Sequence, residues 1–87
     1  MKIESNHIKA NGSELSVIPI NGSFFSPKEI QDVVGGNVTF IKLPNDYVLA
    51  VNEDGISKGF SFNKKASKIA GIKIVGDVLH THLKLLK

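Results

Sequence analysis

Residues 25–36, FSPKEIQDVVGG, carry the strongest local signal in this 87-residue chain and mark the start of its main helix. Ser26 is a favourable N-cap residue, and Pro27 suits the first helical position. Glu29 follows the cap by three residues, so its carboxylate is placed to close a capping box with Ser26. The stretch therefore predicts a helix that begins at about residue 26.

The same stretch also marks the end of the helix. Phe25 and Ile30 are spaced to pack against each other as a hydrophobic staple. Gly35 is a natural left-handed terminator. The pair Gly35-Gly36 is predicted to be a helix end and tight turn rather than a phosphate cradle, because the negative end of the helix dipole lies there. We predict a main helix over about residues 26–34.

Two short strands are predicted before this helix. Residues 7–10 end at Asn11-Gly12, a dipeptide that favours a tight hairpin turn. The apolar residues between Leu15 and Ile20 predict a second strand. Pro19 favours a sheet edge for it, because proline has no amide hydrogen to donate to a neighbouring strand.

A β-hairpin is predicted after the helix. Val38–Leu43 and Tyr47–Val51 are rich in β-branched and aromatic residues and are joined by the turn sequence Pro44-Asn45-Asp46. Asn52–Gly55 indicates another turn, and Ile56–Phe62 is expected to continue in extended form.

A second, short helix is predicted over about residues 64–70. Asn63 is expected to cap its beginning, and Gly71 is expected to end it. Its apolar face would consist of Ala66, Ile69 and Ala70.

The last segment carries a conflict of register. Ile72 and Ile74 have even numbers, whereas the leucines at positions 79, 83 and 85 have odd numbers. Successive strand residues point to opposite faces, so one unbroken strand cannot bury both sets on one face. We predict a bulge or kink near Gly76. The residues expected on the face opposite the leucines are His80, His82 and Lys84.

Together these elements predict an α+β fold. We expect a small antiparallel twisted sheet of four to six strands, with the main helix packed on one face and a second short helix. A chain of this length is expected to form one domain over residues 1–87. Exposed strand edges in so small a domain favour a homo-oligomer.

Two absences from the composition narrow the function. The chain has no cysteine, which excludes disulfides, thiolate catalysis and cysteine-based zinc sites. All eleven cationic residues are lysine, so the planar fork with which arginine reads guanine is missing, and the net charge of +3 is mild. Sequence-specific DNA binding is therefore not expected. The sequence has no long apolar run, so we expect neither a membrane span nor a signal peptide. This favours the cytosol as the location of the protein.

The positive charge is concentrated between Gly55 and Gly76, where five lysines and no acidic residue occur. Three of them follow Asn63, at the positive end of the second helix, where cations are unfavourable unless they hold an anion. Phe60 and Phe62 precede that end and are placed to stack on a flat ring. The predicted ligand-binding residues are Lys58, Phe60, Phe62, Asn63, Lys64, Lys65 and Lys68. In the alternative interpretation the lysines solubilise an exposed turn and the phenylalanines fill the core.

Other patterns give weaker indications of chemistry. His80 and His82 have a spacing seen in metal sites, but a site would need His7 or Asp77 as a further ligand. The carboxylates of Glu53-Asp54 are adjacent in a turn and point apart, which does not favour acid/base catalysis. The chain contains no Ser-His-Asp order, nucleophile elbow or Walker sequence, so we predict no catalytic residue, no cofactor and a non-enzymatic protein.

The order of four short motifs resembles a known family. They are IQDVVGG at 30–36, VNEDG at 51–55, NKKAS at 63–67 and IVGD at 74–77. In this order and spacing the chain resembles the family called domain of unknown function 3846, over roughly residues 13–80. The resemblance implies a small protein of bacteriophages, plasmids and the bacteria that carry them. It implies no activity and no catalytic residue.

Three functional hypotheses follow. The first is a phage or mobile-element protein that binds an anionic small ligand, such as a host signalling nucleotide, and sequesters it as a counter-defence. The second is a protein-interaction module or inhibitor of a host protein, which binds through an exposed strand edge or through the surface of Tyr47, Phe60 and Phe62. The third is a weak binder of single-stranded nucleic acid.

Overall fold

A computed structural model describes residues 4–86, so residues 1–3 and 87, the ends of the predicted domain, lie outside the described part. The strands are β1 (Ser5–Ile8), β2 (Glu14–Val17), β3 (Val38–Lys42), β4 (Tyr47–Asn52) and β5 (Val78–His82). The α-helices are α1 (Pro27–Val34) and α2 (Lys64–Ala70), and short 3-10 turns span Pro44–Asp46 and Leu83–Leu85. Within residues 4–86 no helix has the length and apolarity needed to cross a membrane.

The five strands form one antiparallel sheet in the order β2-β1-β5-β4-β3. The predicted α+β fold, with its small antiparallel sheet, main helix and short second helix, is confirmed. The C-terminal strand β5 lies at the centre between β1 and β4. The two edges of the sheet are therefore β2 and β3.

The sheet buries side chains on both faces. The face covered by α1, called the α1 face, is packed through Phe25, Ile30, Val34, Ala50 and Leu79. The opposite face, called the α2 face, is packed through Ile8, Leu49, Val51, Ala66, Ile74 and Val78. Neighbouring residues of one strand thus belong to different cores, as Leu49 and Ala50 do. The strand β4 is buried along almost its whole length for this reason.

The residues around α1 form the predicted capping and terminating contacts. Glu29 N donates to Ser26 Oγ, and Ser26 N donates back to the Glu29 carboxylate at 2.8 Å, which completes the capping box. Phe25 and Ile30 are buried in the same cluster, as the staple requires. Gly35 ends the helix with a φ of 81°, and its N–H donates to Gln31 O.

The kink at Gly76 is confirmed, although the reason for it differs from the prediction. Gly76 has a φ of 79°, and β5 begins two residues later at Val78. Ile74 and Leu79 are both buried, but in cores on opposite faces of the sheet. Because both faces of the sheet are covered, even-numbered and odd-numbered residues can both be buried, and no conflict of register arises. The kink instead turns the chain from the α2 side into β5.

Two strand predictions need correction. The segment Ile56–Phe62 is not extended: Glu53–Gly59 forms consecutive turns, in which Lys58 N donates to Asp54 O and Phe60 N to Gly55 O. The turn-forming residues of this stretch, among them Gly59 at a φ of 72°, favour turns more strongly than its apolar residues favour a strand. The second strand ends at Val17, so Pro19 lies beyond it and is buried, although β2 is an edge strand as expected.

Candidate functional site

The predicted lysine site is divided between different parts of the fold. Lys58 lies beside the C-terminal end of α1, because a Cβ atom built at Gly36 would be 2.9 Å from Lys58 Nζ. Its Nζ is 5.9 Å from the centre of the Phe60 ring. A cation beside the negative end of a helix dipole is favourable, so Lys58 has a structural reason for its position.

The other predicted lysines are exposed on α2, and α2 packs on the α2 face of the sheet. Lys65 is 3.7 Å from the Glu14 carboxylate on β2, so this lysine faces an acid. The side chains of Lys64 and Lys68 are exposed on the same helix. Lys58 is thus separated from the α2 lysines by its place at the end of α1.

Asn63, which the sequence placed in the ligand site, is a structural residue. Its side chain is fully buried, and its Oδ1 accepts from Ala66 N at 3.0 Å as the cap of α2. Its Nδ2 donates to Ile8 O at 3.0 Å and to Gly76 O at 2.8 Å. These three bonds occupy the side chain, so the structure gives Asn63 a structural role, and a ligand contact at Asn63 stays a prediction without support from this geometry.

The two phenylalanines differ in their surroundings. Phe60 is half-buried over glycine backbone, where Cβ atoms built at Gly55 and Gly76 would lie 3.5 and 2.7 Å from its Cδ2 atom. Phe62 pairs in a single bridge with Val75, and its side chain is 52% exposed. Phe60 therefore packs against the fold, and Phe62 remains accessible.

The cleft next to Phe60 has no cationic residue for an anion among its described lining residues. It has a volume of about 520 Å³ and lies between the end of α1 and the segment around Gly76. Its charged lining residues are Asp32 and Asp77. Asp32 is 2.9 Å from Lys28 Nζ, and Asp77 is 2.9 Å from His7 Nε2. None of these lining residues is a lysine that could pair with an anionic ligand. The anionic-ligand hypothesis stays a prediction, without support from this cleft.

The histidines form an aromatic group on the α2 face. Tyr47 lies between His80 and His82, with ring centres 5.4 and 5.0 Å away. Partial burial lowers the pKa of His80, and the charge of Glu14 opposes that shift. His82 Nδ1 accepts from Lys84 N and so caps the final 3-10 turn.

The fold keeps the proposed extra metal ligands away from these histidines. His7 pairs with Leu79 across the sheet, which places it on the α1 face, opposite to His80. His7 Nε2 is 2.9 Å from Asp77 Oδ2, and Asp77 Oδ1 accepts from Ala10 N. Asp77 thus supports the first hairpin. No cluster of three or more metal-ligating side chains occurs among residues 4–86.

The edge strand β3 offers free backbone groups at the side away from β4. The bonds Leu43 N to Tyr47 O and Glu53 N to Asn37 O show that odd-numbered residues bond inwards to β4. In an antiparallel ladder the alternate residues point their N–H and C=O groups the other way. Val38, Phe40 and Lys42 therefore present their backbone groups at the edge of the sheet.

Clefts lie on both faces of this edge. The α1-side cleft has a volume of about 510 Å³ and is lined by residues that include Val38, Phe40, Ile30 and Phe25. The α2-side cleft has a volume of about 470 Å³ and is lined by residues that include Thr39, Ile41, Ile56, Ile72 and Ile74. Alternate residues of one edge strand thus lead into apolar clefts on opposite faces. This arrangement has the form of a groove for one more strand.

The two ends of β3 carry opposite charges. Glu53 lines both clefts and lies next to Asn37, at the Val38 end. Lys42 is exposed at the other end of the strand. Among the described residues neither side chain takes part in an ion pair. On the α1 side of the groove, Glu53 is thus the charged lining residue of the cleft at the Val38 end, and Lys42 is exposed at the other end of β3.

The β3–β4 hairpin is predictable from its sequence, whereas the role of β3 as a sheet edge is not. Strand β3 is an edge because β5 pairs with the other side of β4 and not with β3. A signal was present, because Val38 and Phe40 have even numbers and Ile41 and Leu43 have odd numbers. Apolar residues of both parities indicate a strand with apolar surroundings on both faces.

Comparison with known proteins gives no relative. No protein-family model matches the chain, and neither the curated proteins nor the solved structures contain a match. The resemblance to domain of unknown function 3846, and the mobile-element setting it implies, stay predictions.

Proposed function

We propose that this protein is a non-enzymatic protein-interaction module that binds a partner by accepting an extended segment as a sixth strand beside β3. The observation that carries the proposal is the pair of apolar clefts on opposite faces of one free strand edge. A host protein as the partner and the cytosol as the location stay predictions within this proposal.

Strand addition divides affinity and specificity between backbone and side chains. An added strand receives main-chain hydrogen bonds from the outward groups of Val38, Phe40 and Lys42. Its alternate side chains point to opposite faces, as in any strand, and so enter the two clefts. Volumes of about 510 and 470 Å³ accommodate aliphatic or aromatic side chains.

The exposure of Phe40 supports this position for the partner. Phe40 lies at the middle of β3, and its side chain is 48% exposed beside the α1-side cleft. A contiguous apolar surface beside unpaired backbone groups is a typical site of strand addition. An incoming strand would cover both the ring and the backbone edge.

The test separates backbone pairing from side-chain contact at Phe40. A pool of displayed random decapeptides is selected on the chain, and the selected peptides are measured against Phe40→Pro and Phe40→Ala. Proline removes the outward N–H and is tolerated at a sheet edge, whereas alanine keeps the N–H and removes only the ring. We expect binding to be lost in Phe40→Pro and weakened in Phe40→Ala.

The following results would contradict the proposal. Selected peptides that bind Phe40→Pro as well as the wild-type chain would overturn the proposal, as would a pool without selected peptides. Self-association that Phe40→Pro abolishes would place a second copy on the edge and contradict a foreign partner. Circular dichroism of both variants checks that the sheet is retained.

A further inference from the structure

The opposite charges at the ends of β3 define the direction and chemistry of the segment that this edge accepts. This inference rests on the proposed strand addition at β3. We propose that the partner segment runs antiparallel to β3 and has an acidic residue, a central apolar residue and a basic residue at every second position.

The direction follows from the sheet. Each pair of neighbouring strands in the sheet is antiparallel, and antiparallel pairing is slightly more stable per residue than parallel pairing. The outward groups of Val38, Phe40 and Lys42 then form the closely spaced hydrogen-bonded pairs of an antiparallel ladder. The first residue of the incoming segment faces Lys42, and the fifth faces Val38.

The charges of the segment follow from this register. Residues directly opposite each other in an antiparallel pair share one face, so the first residue lies beside the Lys42 ammonium and favours a carboxylate. The fifth residue lies beside Val38, near Glu53, which lines the α1-side cleft at that end. A lysine or arginine there would meet the Glu53 carboxylate.

The remaining positions follow from the clefts. The third residue lies opposite Phe40 and beside the α1-side cleft, where an aromatic cross-strand pair is favourable. The second and fourth residues lie opposite Ile41 and Thr39 and point to the α2-side cleft. That cleft is lined by isoleucines 56, 72 and 74 together with the charged residues Glu53, Asp54 and Lys73. We place β-branched aliphatic residues against the isoleucines. The expected core of the segment is Glu-Ile-Phe-Val-Lys.

The experiment compares this core with its charge-reversed form. Two labelled nonapeptides with identical flanking residues carry Glu-Ile-Phe-Val-Lys or Lys-Ile-Phe-Val-Glu, and fluorescence anisotropy measures their binding to the full chain. The two peptides have the same composition and the same apolar pattern. We expect the first to bind about tenfold more tightly, because two exposed ion pairs are replaced by two like-charge contacts. The preference should decrease as salt is added.

A doubly substituted chain provides the matched control. Lys42→Glu with Glu53→Lys exchanges these two charges and leaves the other lining residues of both clefts in place. The preference should therefore change to the charge-reversed peptide.

Each outcome distinguishes this inference from the proposed function. Equal binding of both peptides to the wild-type chain would overturn the charge register but leave strand addition intact. Preference of the wild-type chain for Lys-Ile-Phe-Val-Glu would contradict the antiparallel direction. A preference that the doubly substituted chain keeps would contradict the roles of Lys42 and Glu53. Binding of neither peptide, together with failure of the decapeptide selection, would overturn the proposed function itself.

Discussion

Asn63 Nδ2 donates a hydrogen bond of 3.0 Å to the carbonyl oxygen of Ile8, so the residue that caps α2 also holds the end of β1. The same amide donates to Gly76 O, before the central strand β5 begins. One buried side chain thus joins a helix, an edge-proximal strand and the kink that leads into the middle of the sheet. These contacts explain why a residue beside a lysine cluster is structural.

Asn63→Ala should lower the free energy of unfolding by about 3 kcal/mol, because the helix loses its cap and two buried carbonyl oxygens lose their donor. Urea unfolding measures the change. Lys64→Ala is the control, since that side chain is exposed at the next position and should change stability by less than about 0.5 kcal/mol. Equal losses in the two variants would contradict the structural role of Asn63.

Gly76→Ala should destabilise the protein more than Gly12→Ala. Both glycines have positive φ, 79° and 98°, so both substitutions introduce the same kind of backbone strain. A Cβ at Gly76 would lie 2.7 Å from Phe60 Cδ2, whereas one at Gly12 has no neighbour within 4 Å. The overpacking should cost about 1–3 kcal/mol beyond the shared strain. Similar melting temperatures for the two variants would show that the Phe60 ring moves away without cost.

Glu29 should contribute to stability at neutral pH and lose that contribution in acid. Backbone hydrogen bonds from Ser26 and Ile20 lower the pKa of its carboxyl group. A carboxyl group whose pKa is lower in the folded chain stabilises the fold above its ordinary pKa, and the contribution is lost as the pH falls through the folded value. The stability difference between the wild-type chain and Glu29→Gln should therefore be smaller at about pH 3 than at about pH 6. Thermal unfolding at both pH values provides the check, and a difference that grows in acid would refute it.

His80 should titrate below its value in the unfolded chain, because partial burial lowers the pKa of its imidazole. Protonation then favours the unfolded chain, so the contribution to stability is complete above about pH 6.5 and is lost as the pH falls towards the folded pKa. Nuclear magnetic resonance titration of the native and urea-unfolded chain measures both values. A native pKa equal to or above the unfolded value would contradict the burial of this ring beside Tyr47.

The lysines of α2 separate the two leading hypotheses. Lys64→Ala with Lys65→Ala should leave the binding of β3-selected peptides unchanged, because both side chains are exposed and neither lines the clefts beside β3. Isothermal titration with mono-, di- and cyclic nucleotides tests the alternative on the same proteins. Nucleotide binding that the double substitution removes would instead support the anionic-ligand hypothesis.

The sequence predicted the elements whose signals are local. The capping box of Ser26 and Glu29, the terminators Gly35 and Gly71, and the Pro44–Asp46 hairpin turn all act within about four residues. Such interactions depend little on the rest of the chain. The prediction of an extended Ile56–Phe62 segment is wrong, because backbone hydrogen bonds between near neighbours hold this stretch in turns.

The candidate site was less predictable. The sequence revealed a lysine-rich segment, but the direction of each lysine depends on the packing of α1 and α2, which lie on opposite faces of the sheet. It revealed the strand pattern of β3 without its place at the edge. That place depends on the pairing of β4 with β5, whose paired residues are 29–35 positions apart in the chain.

By itself, then, the sequence determined the fold class, both helices with their caps, and the β3–β4 hairpin, because backbone preferences and short-range hydrogen bonds act between near neighbours. Only the tertiary structure decided that β5 enters the centre of the sheet, that Asn63 is buried, and that β3 is left free between two apolar clefts. Those features arise from packing and hydrogen bonds between residues distant in the chain, such as Asn63 with Ile8 and Ala50 with Leu79. Their geometry exists only once both faces of the sheet are covered.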